Sequence, residues 1–400
     1  MTETEKQPFI NDEHPFTIDK WNKALIELYE WGIDDVLLQD GEVLGVQRKG
    51  KIIDVGTRRL ELETVENILN AMYKTSAAAT LQKGDDHNFT YPVRKDKFNT
   101  YRFRVNATAA MGMYSAPVGI DVTMRSIAQV PPSLDDLGVS DTVQRMLDPR
   151  TGIVIIGGAT GSGKTTLLGA KTKAILTAPE GRRVLTYESP IEFDFRAISN
   201  RTGRIAQSNV YIDLKNYAHA TANSLRRHPD DIILGEARDA ETIEGAIHNS
   251  ETGHRVFTTV HINSAGEAFT RMANVFPQTE RAAAIAGLVG STRAIIYQEL
   301  VHTTDGGRTA IQEYLELTDE LRGVLYETDE SRLTKVMTEM VETHGRPLMR
   351  DVEDLYRSGR IARSVYQRYK AEQTRKPDGA MDAPEPDHSS VLFNDLEEQT

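Results

Sequence analysis

The stretch Gly158-Ala159-Thr160-Gly161-Ser162-Gly163-Lys164-Thr165 limits what this chain can fold into more than any other. It spells G-x-x-x-x-G-K-[ST], the pattern of a loop that wraps a phosphate chain. Ile153-Val154-Ile155-Ile156 precedes it, a β-branched run that reads as a buried strand. Thr166 to Leu176 follows and reads as a helix. Strand, glycine-rich turn and helix is the order the chemistry needs. Glycines let backbone N–H groups close around phosphate with no Cβ in the way. The helix N-terminus adds partial positive charge. Lys164 then supplies a full positive charge, Thr165 a hydroxyl for Mg²⁺, and Thr166 completes the nucleotide-binding segment.

The chain has 400 residues, too many for one ordinary core, so two domains are expected. It contains no cysteine, which excludes disulfides and thiolate metal sites and fits a reducing compartment. No apolar run approaches the length of a bilayer span, and Met1 to Lys6 lacks the layout of a signal peptide. A cytoplasmic protein is the expectation. The formal net charge of −12 argues against broad nucleic-acid binding.

Residues 1–15 are polar and read as a loose arm. From 16 to 129 the signals alternate between helix and strand. Trp21, Leu25, Leu28 and Trp31 recur at helical spacing, and Gly32 stops them. Strands are expected at 36–38, 43–48, 52–55, 89–93, 101–106 and 116–124, with a helix at 63–72. This is an α+β module with a mainly antiparallel sheet. Val130-Pro131-Pro132-Ser133 opens a connector over 130–137, because two prolines fit neither a helix interior nor a central strand. Residues 138–372 form the second domain. Its strands at 184–187, 232–234 and 256–260 are short and apolar on both faces, which predicts a parallel sheet. Helices are expected at 214–226, 240–249, 264–274, 279–300 and 330–371. Residues 373–400 carry Pro, acids and Ser and read as a disordered tail.

In a parallel sheet, ligands sit beyond the carboxyl ends of the strands. Glu188, Glu236 and His261 stand at such ends. Glu236 follows a glycine there and suits the role of orienting water or Mg²⁺; its bland alternative is a surface acid or helix cap. Glu188 suits Mg²⁺, and Glu192 nearby could share or take that role. Asp231 begins its strand, at the opposite edge. His261 can reach a γ-phosphate, whereas His254 divides evenly between structure and function. The two histidines lack a third close ligand, so zinc is not expected.

The chain then resembles a known family. The blocks are the P-loop, Tyr187-Glu188-Ser189-Pro190-Ile191-Glu192, Leu225-Arg226-Arg227-His228-Pro229-Asp230, Gly235-Glu236-Ala237-Arg238-Asp239-Ala240-Glu241-Thr242, and Glu251-Thr252-Gly253-His254 with Thr259-Val260-His261. Together they resemble the ATPases of type II and type IV secretion and type IV pili. The resemblance runs from about Trp21 to Arg363. It implies a PAS-like N-terminal domain before a RecA-like P-loop ATPase domain with a helical C-terminal extension, assembled as a homohexamer. It implies ATP and Mg²⁺ as ligands, with Thr165, Glu188 and Glu236 around the metal, Glu236 as the base for water, and His261 near the γ-phosphate. It also implies that Arg102, Arg104 and Arg125 reach the phosphates; read alone, they are alternating strand arginines facing water.

Ser189 stands where that family usually has Asp. Ala206-Gln207-Ser208-Asn209 lacks the charged pair common in retraction motors, and no four-cysteine element exists. What remains looks closest to the DotB and TraJ branch, which serves type IVB secretion and I-type conjugative plasmids. Residues 343–349 and 354–361 fit that branch. The resemblance thus implies a motor recruited by protein contact to the cytoplasmic face of a membrane complex, with no direct contact to DNA. The alternatives are a pilus retraction motor and a low-turnover, nucleotide-gated assembly scaffold.

Overall fold

The computed structural model describes residues 8, 10, 16–97, 99–112, 118–127 and 130–374. The expected arm, all but two residues of it, lies outside them, as does the expected tail from 375 onward.

The first domain runs α1 (Ile18–Trp31), β1 (Asp35–Gln39), β2 (Val43–Arg48), β3 (Lys51–Arg59), α2 (Leu62–Met72), α3 (Ala77–Leu81), β4 (His87–Arg94), β5 (Thr100–Met111) and β6 (Val118–Ile127). Thr17 caps α1 by accepting from the Lys20 N–H, and Gly32 ends it with φ +80°. The apolar stripe Trp21, Leu25, Leu28 and Trp31 is buried, as its spacing predicts. The six strands pair in the order β3-β2-β1-β6-β5-β4, antiparallel throughout. Along β5, Tyr101, Phe103, Val105 and Ala107 join the helices in one core, while Arg102, Arg104 and Asn106 alternate onto the opposite face.

The second domain runs α4 (Asp141–Met146), β7 (Gly152–Gly157), α5 (Lys164–Thr177), β8 (Arg183–Glu188), β9 (Arg204–Asn209), α6 (Tyr217–Ser224), β10 (Asp231–Leu234), α7 (Ala240–Glu251), β11 (Arg255–Val260), α8 (Ala268–Ala273), α9 (Arg281–Ser291), β12 (Thr292–His302), β13 (Arg308–Glu316), α10 (Asp319–Tyr326), α11 (Glu330–His344), α12 (Leu348–Arg357) and α13 (Arg363–Thr374). Its sheet order is β13-β12-β7-β11-β10-β8-β9, parallel except for the β12–β13 pair. Both faces are covered. Ile153 and Ile155 face a core shared with α6 to α9 and α11; Val154 and Ile156 face one shared with α4 and α5.

Three differences from the sequence reading stand out. Residues 292–300 belong to β12, not to a helix continuing from 279. Residues 206–209 belong to β9, the edge strand beside β8. Helix α13 also continues through Thr374, past the expected start of the tail. The connector lies against the second domain: Leu134 joins the core around α5, and Lys173 Nζ donates to the Pro131 carbonyl at 2.9 Å.

Candidate nucleotide site

The P-loop leaves β7 and enters α5 at Lys164. Two of its glycines are required by their surroundings. A Cβ at Gly158 would overlap the Gln298 carbonyl and the Ser162 hydroxyl. Gly163 caps α5 with φ +84°, and a Cβ there would lie 2.8 Å from Gln298 Nε2. Lys164 Nζ donates to the carbonyls of Gly158 (2.7 Å) and Ala159 (2.8 Å), inside the turn. Burial holds its pKa below the ordinary lysine value, opposed by the charges of Glu236 and Glu192.

A cleft of about 230 Å³ opens above the loop. Thr160, Gly161, Lys164 and Thr165 form one wall; Glu188, Glu192, Glu236 and His261 form the other. The three strand-end residues singled out from the sequence therefore converge on the loop. Glu236 lies between His261 Nε2 at 3.6 Å and Arg238 Nη1 at 3.8 Å. Its backbone turn is fixed by Thr259, whose hydroxyl donates to the Gly235 carbonyl at 2.6 Å.

The two acids after β8 differ. Glu188 is buried, and desolvation pushes its pKa up to about 7, against hydrogen bonds from Thr186 Oγ1 (2.5 Å) and Gln207 Nε2 (3.4 Å). Glu192 Oε1 instead accepts from the Thr165 hydroxyl at 3.5 Å. Burial raises its pKa, opposed by Arg104, the Thr165 hydroxyl, Arg125 and Lys164. Thr165 and Glu192 together offer oxygen donors only, a set that suits Mg²⁺. No group of three or more His, Asp or Glu side chains is arranged to hold a metal ion among the described residues.

The arginines take up two separate positions. Arg104 and Arg125 are cross-strand neighbours on the polar face of the first sheet, and both act electrostatically on Glu192. Arg125 is also bidentate to Asp35, at 2.8 and 3.0 Å. Arg102 reaches across to the second domain and pairs with Asp194 at 2.5 Å. None of them lines the P-loop cleft within this chain. His254 stands just before β11, at the edge of the sheet away from the loop, where its Nδ1 meets the Asn249 carbonyl. Thr166, the last residue of the expected segment, faces a second cavity of about 720 Å³ on the other flank of the loop, with Gly163, Leu167 and Gln298.

Sequence reasoning did not single out Gln298. Its Nε2 donates to the Ser162 carbonyl at 2.7 Å. The signal was a lone amide in an apolar run, invisible while that run reads as a helix.

The profile of Type II/IV secretion system proteins matches residues 85–363. The chain belongs to that family. It is a P-loop ATPase. The X-ray structure of the Legionella pneumophila ATPase DotB shares 33% identity and a TM-score of 0.82, covering 92% of this chain and 100% of that one. A structure of the pilus retraction motor PilT with bound ADP shares 26% identity and a TM-score of 0.74, covering 89% and 97%. By sequence, the type IV pilus retractation ATPase PilT of Pseudomonas aeruginosa is 28% identical over 345 residues, 86% of this chain and 95% of the relative. The second domain is accordingly the RecA-like ATPase domain of this secretion ATPase family. Among the described residues, no helix is long and apolar enough to cross a membrane.

Proposed function

We propose that this ATPase is the motor of a type IVB apparatus, working as a homohexameric ring at the cytoplasmic face of a membrane complex and driving conjugative DNA transfer. The likeness to DotB over 92% of this chain and the whole of that one carries the reading. In this reading the P-loop cleft takes the β- and γ-phosphates, and the cavity beside Thr166 and Leu167 takes the nucleoside. The Glu236 carboxylate accepts a proton from water as that water attacks the γ-phosphorus and the bond to the bridging oxygen breaks. Lys164 and His261 stabilise charge on the phosphate oxygens. Thr165 and Glu192, with Glu188 behind them, would hold Mg²⁺, which neutralises phosphate charge when bound. Arg104 and Arg125 would add positive charge once the domains close; Arg125 would first have to leave Asp35. The formal net charge of −12 disfavours DNA as a direct ligand, and the contact with the channel is made through protein.

The sequence match to PilT supports a second reading, a pilus retraction motor. One set of variants tests the readings together. Glu236→Gln is expected to bind nucleotide normally and to lose turnover by about 10²- to 10⁴-fold. Lys164→Ala is expected to abolish conjugative transfer from a donor strain while the ring still assembles. Turnover in Glu236→Gln equal to that of an active wild type would remove Glu236 as the base; negligible turnover in the wild type itself would favour the scaffold; intact transfer with failed pilus retraction would favour the retraction motor.

A further inference from the structure

The P-loop is braced from the side by a buried amide chain. Gln298 follows Tyr297, the β12 residue paired with Gly157 at the end of β7, so its side chain lies level with the loop. It is only 4% exposed. Its Nε2 donates to the Ser162 carbonyl, and its Oε1 accepts from Gln312 Nε2 on β13 at 3.0 Å. The orientation of the amide follows from chemistry. The Ser162 carbonyl only accepts, so the amide nitrogen must face it, and the oxygen behind then needs a donor. Gln312, also buried, supplies one. The Gln312 backbone N–H donates in turn to Asp351 Oδ2 on α12 at 2.9 Å. Arg346 holds Asp351 from the other side, through Nε at 3.2 Å and Nη2 at 3.1 Å. The same Gln298 fills the space beside Gly158 and Gly163, so the loop cannot shift toward β12 without displacing it.

We propose that Gln298 and Gln312 are positioning residues through which Asp351, on the C-terminal helical extension, sets the shape of the P-loop and hence its affinity for phosphate. The inference rests on nucleotide binding at the P-loop. A donor lost from a buried carbonyl leaves that carbonyl unsatisfied, and the loop must distort to regain a partner. Gly163, one residue beyond the braced carbonyl, sits in the left-handed conformation that turns the loop into α5, so such a distortion is felt by the amides that face phosphate. The extension thereby has a structural line to the phosphates, separate from the cavity beside the loop that Asp351 also lines. A ligand or partner that moved α12 would alter nucleotide affinity by the same route.

The test measures binding of ATP and of inorganic tripolyphosphate to the full chain, by displacement of a fluorescent nucleotide, for wild type, Gln298→Leu, Gln312→Leu and Asp351→Asn. Gln298, Gln312 and Asp351 all line the cavity beside the loop, so a direct contact with the nucleoside is the competing explanation for each of them. Tripolyphosphate has no nucleoside and separates the two. The expectation is that Gln298→Leu weakens both ligands alike, on the order of tenfold. Asp351→Asn should weaken both by a smaller, equal factor, with the ligand-free melting temperature close to wild type. Asp351 is partly exposed, so this variant decides the matter if Gln298→Leu does not fold. Loss confined to ATP, or unchanged binding in every folded variant, overturns the relay. A wild-type chain that binds neither ligand would instead overturn the P-loop reading on which the relay depends.

Discussion

Glu188 shows how one carboxyl can be read in its position and misread in its state. Its place at the end of β8 followed from the strand rule, and the cleft contains it. Its burial did not follow, because burial depends on Gln207 of β9 and Thr186 closing over it. The pKa shift has a consequence for stability. Folded, Glu188 holds its proton to about pH 7; unfolded, it gives it up near 4.5. Between those values the folded state binds more protons, so raising the pH favours unfolding. Its contribution is most favourable below the unfolded value, declines across that window and is level above it. Glu188→Gln is expected to flatten this part of the profile and to gain up to about 3 kcal/mol over wild type at pH 8 without Mg²⁺. Urea denaturation of both proteins at pH 5 and pH 8 checks this; parallel profiles would show that Glu188 ionises freely.

At the scale of elements, P-loop, strand ends and the first domain's antiparallel strands were legible because each carries a local signal. Period-two alternation marks β5, and Gly32 marks the end of α1. The junction of α9 and β12 was not legible. Ala282 to Val289 has helical composition, and β12 follows with no proline or turn between. Ala294 and Ile296 face one core while Ile295 and Tyr297 face the other, so burial on both sides erases the alternation that would mark a strand. Helix α5 shows a related conflict. Gly169 weakens a helix interior relative to alanine, yet a Cβ there would lie 2.8 Å from Phe193 and 3.3 Å from Pro131. The glycine admits the segment after β8 and the connector to the helix surface. Gly169→Val is expected to destabilise the chain by about 1–3 kcal/mol, read as a lower urea midpoint. An unchanged midpoint would mean that Phe193 moves aside freely.

At the scale of the molecule, the polar face of the first sheet is turned toward the segment that carries Glu192 and Asp194. Arg102 bonds the latter, while Arg104 and Arg125 act on the former. The second domain contains the whole P-loop cleft by itself, so a fragment from residue 130 onward, which retains Pro131 and Leu134, is expected to bind ATP. It lacks all three arginines, and an arginine that stabilises the transferring phosphoryl group can be worth about 10³-fold in turnover. Steady-state phosphate release from fragment and full chain makes the comparison; equal rates would remove the arginines from catalysis.

The contact between Lys173 and Pro131 gives α5 two working ends. One end begins at Lys164, where phosphate charge is felt; nine residues on, about 14 Å along the axis, the other grips the strap leading to the first domain. The helix is thus a rigid lever with its load already attached. A tilt of about ten degrees at the nucleotide end would carry the strap through roughly 2 Å.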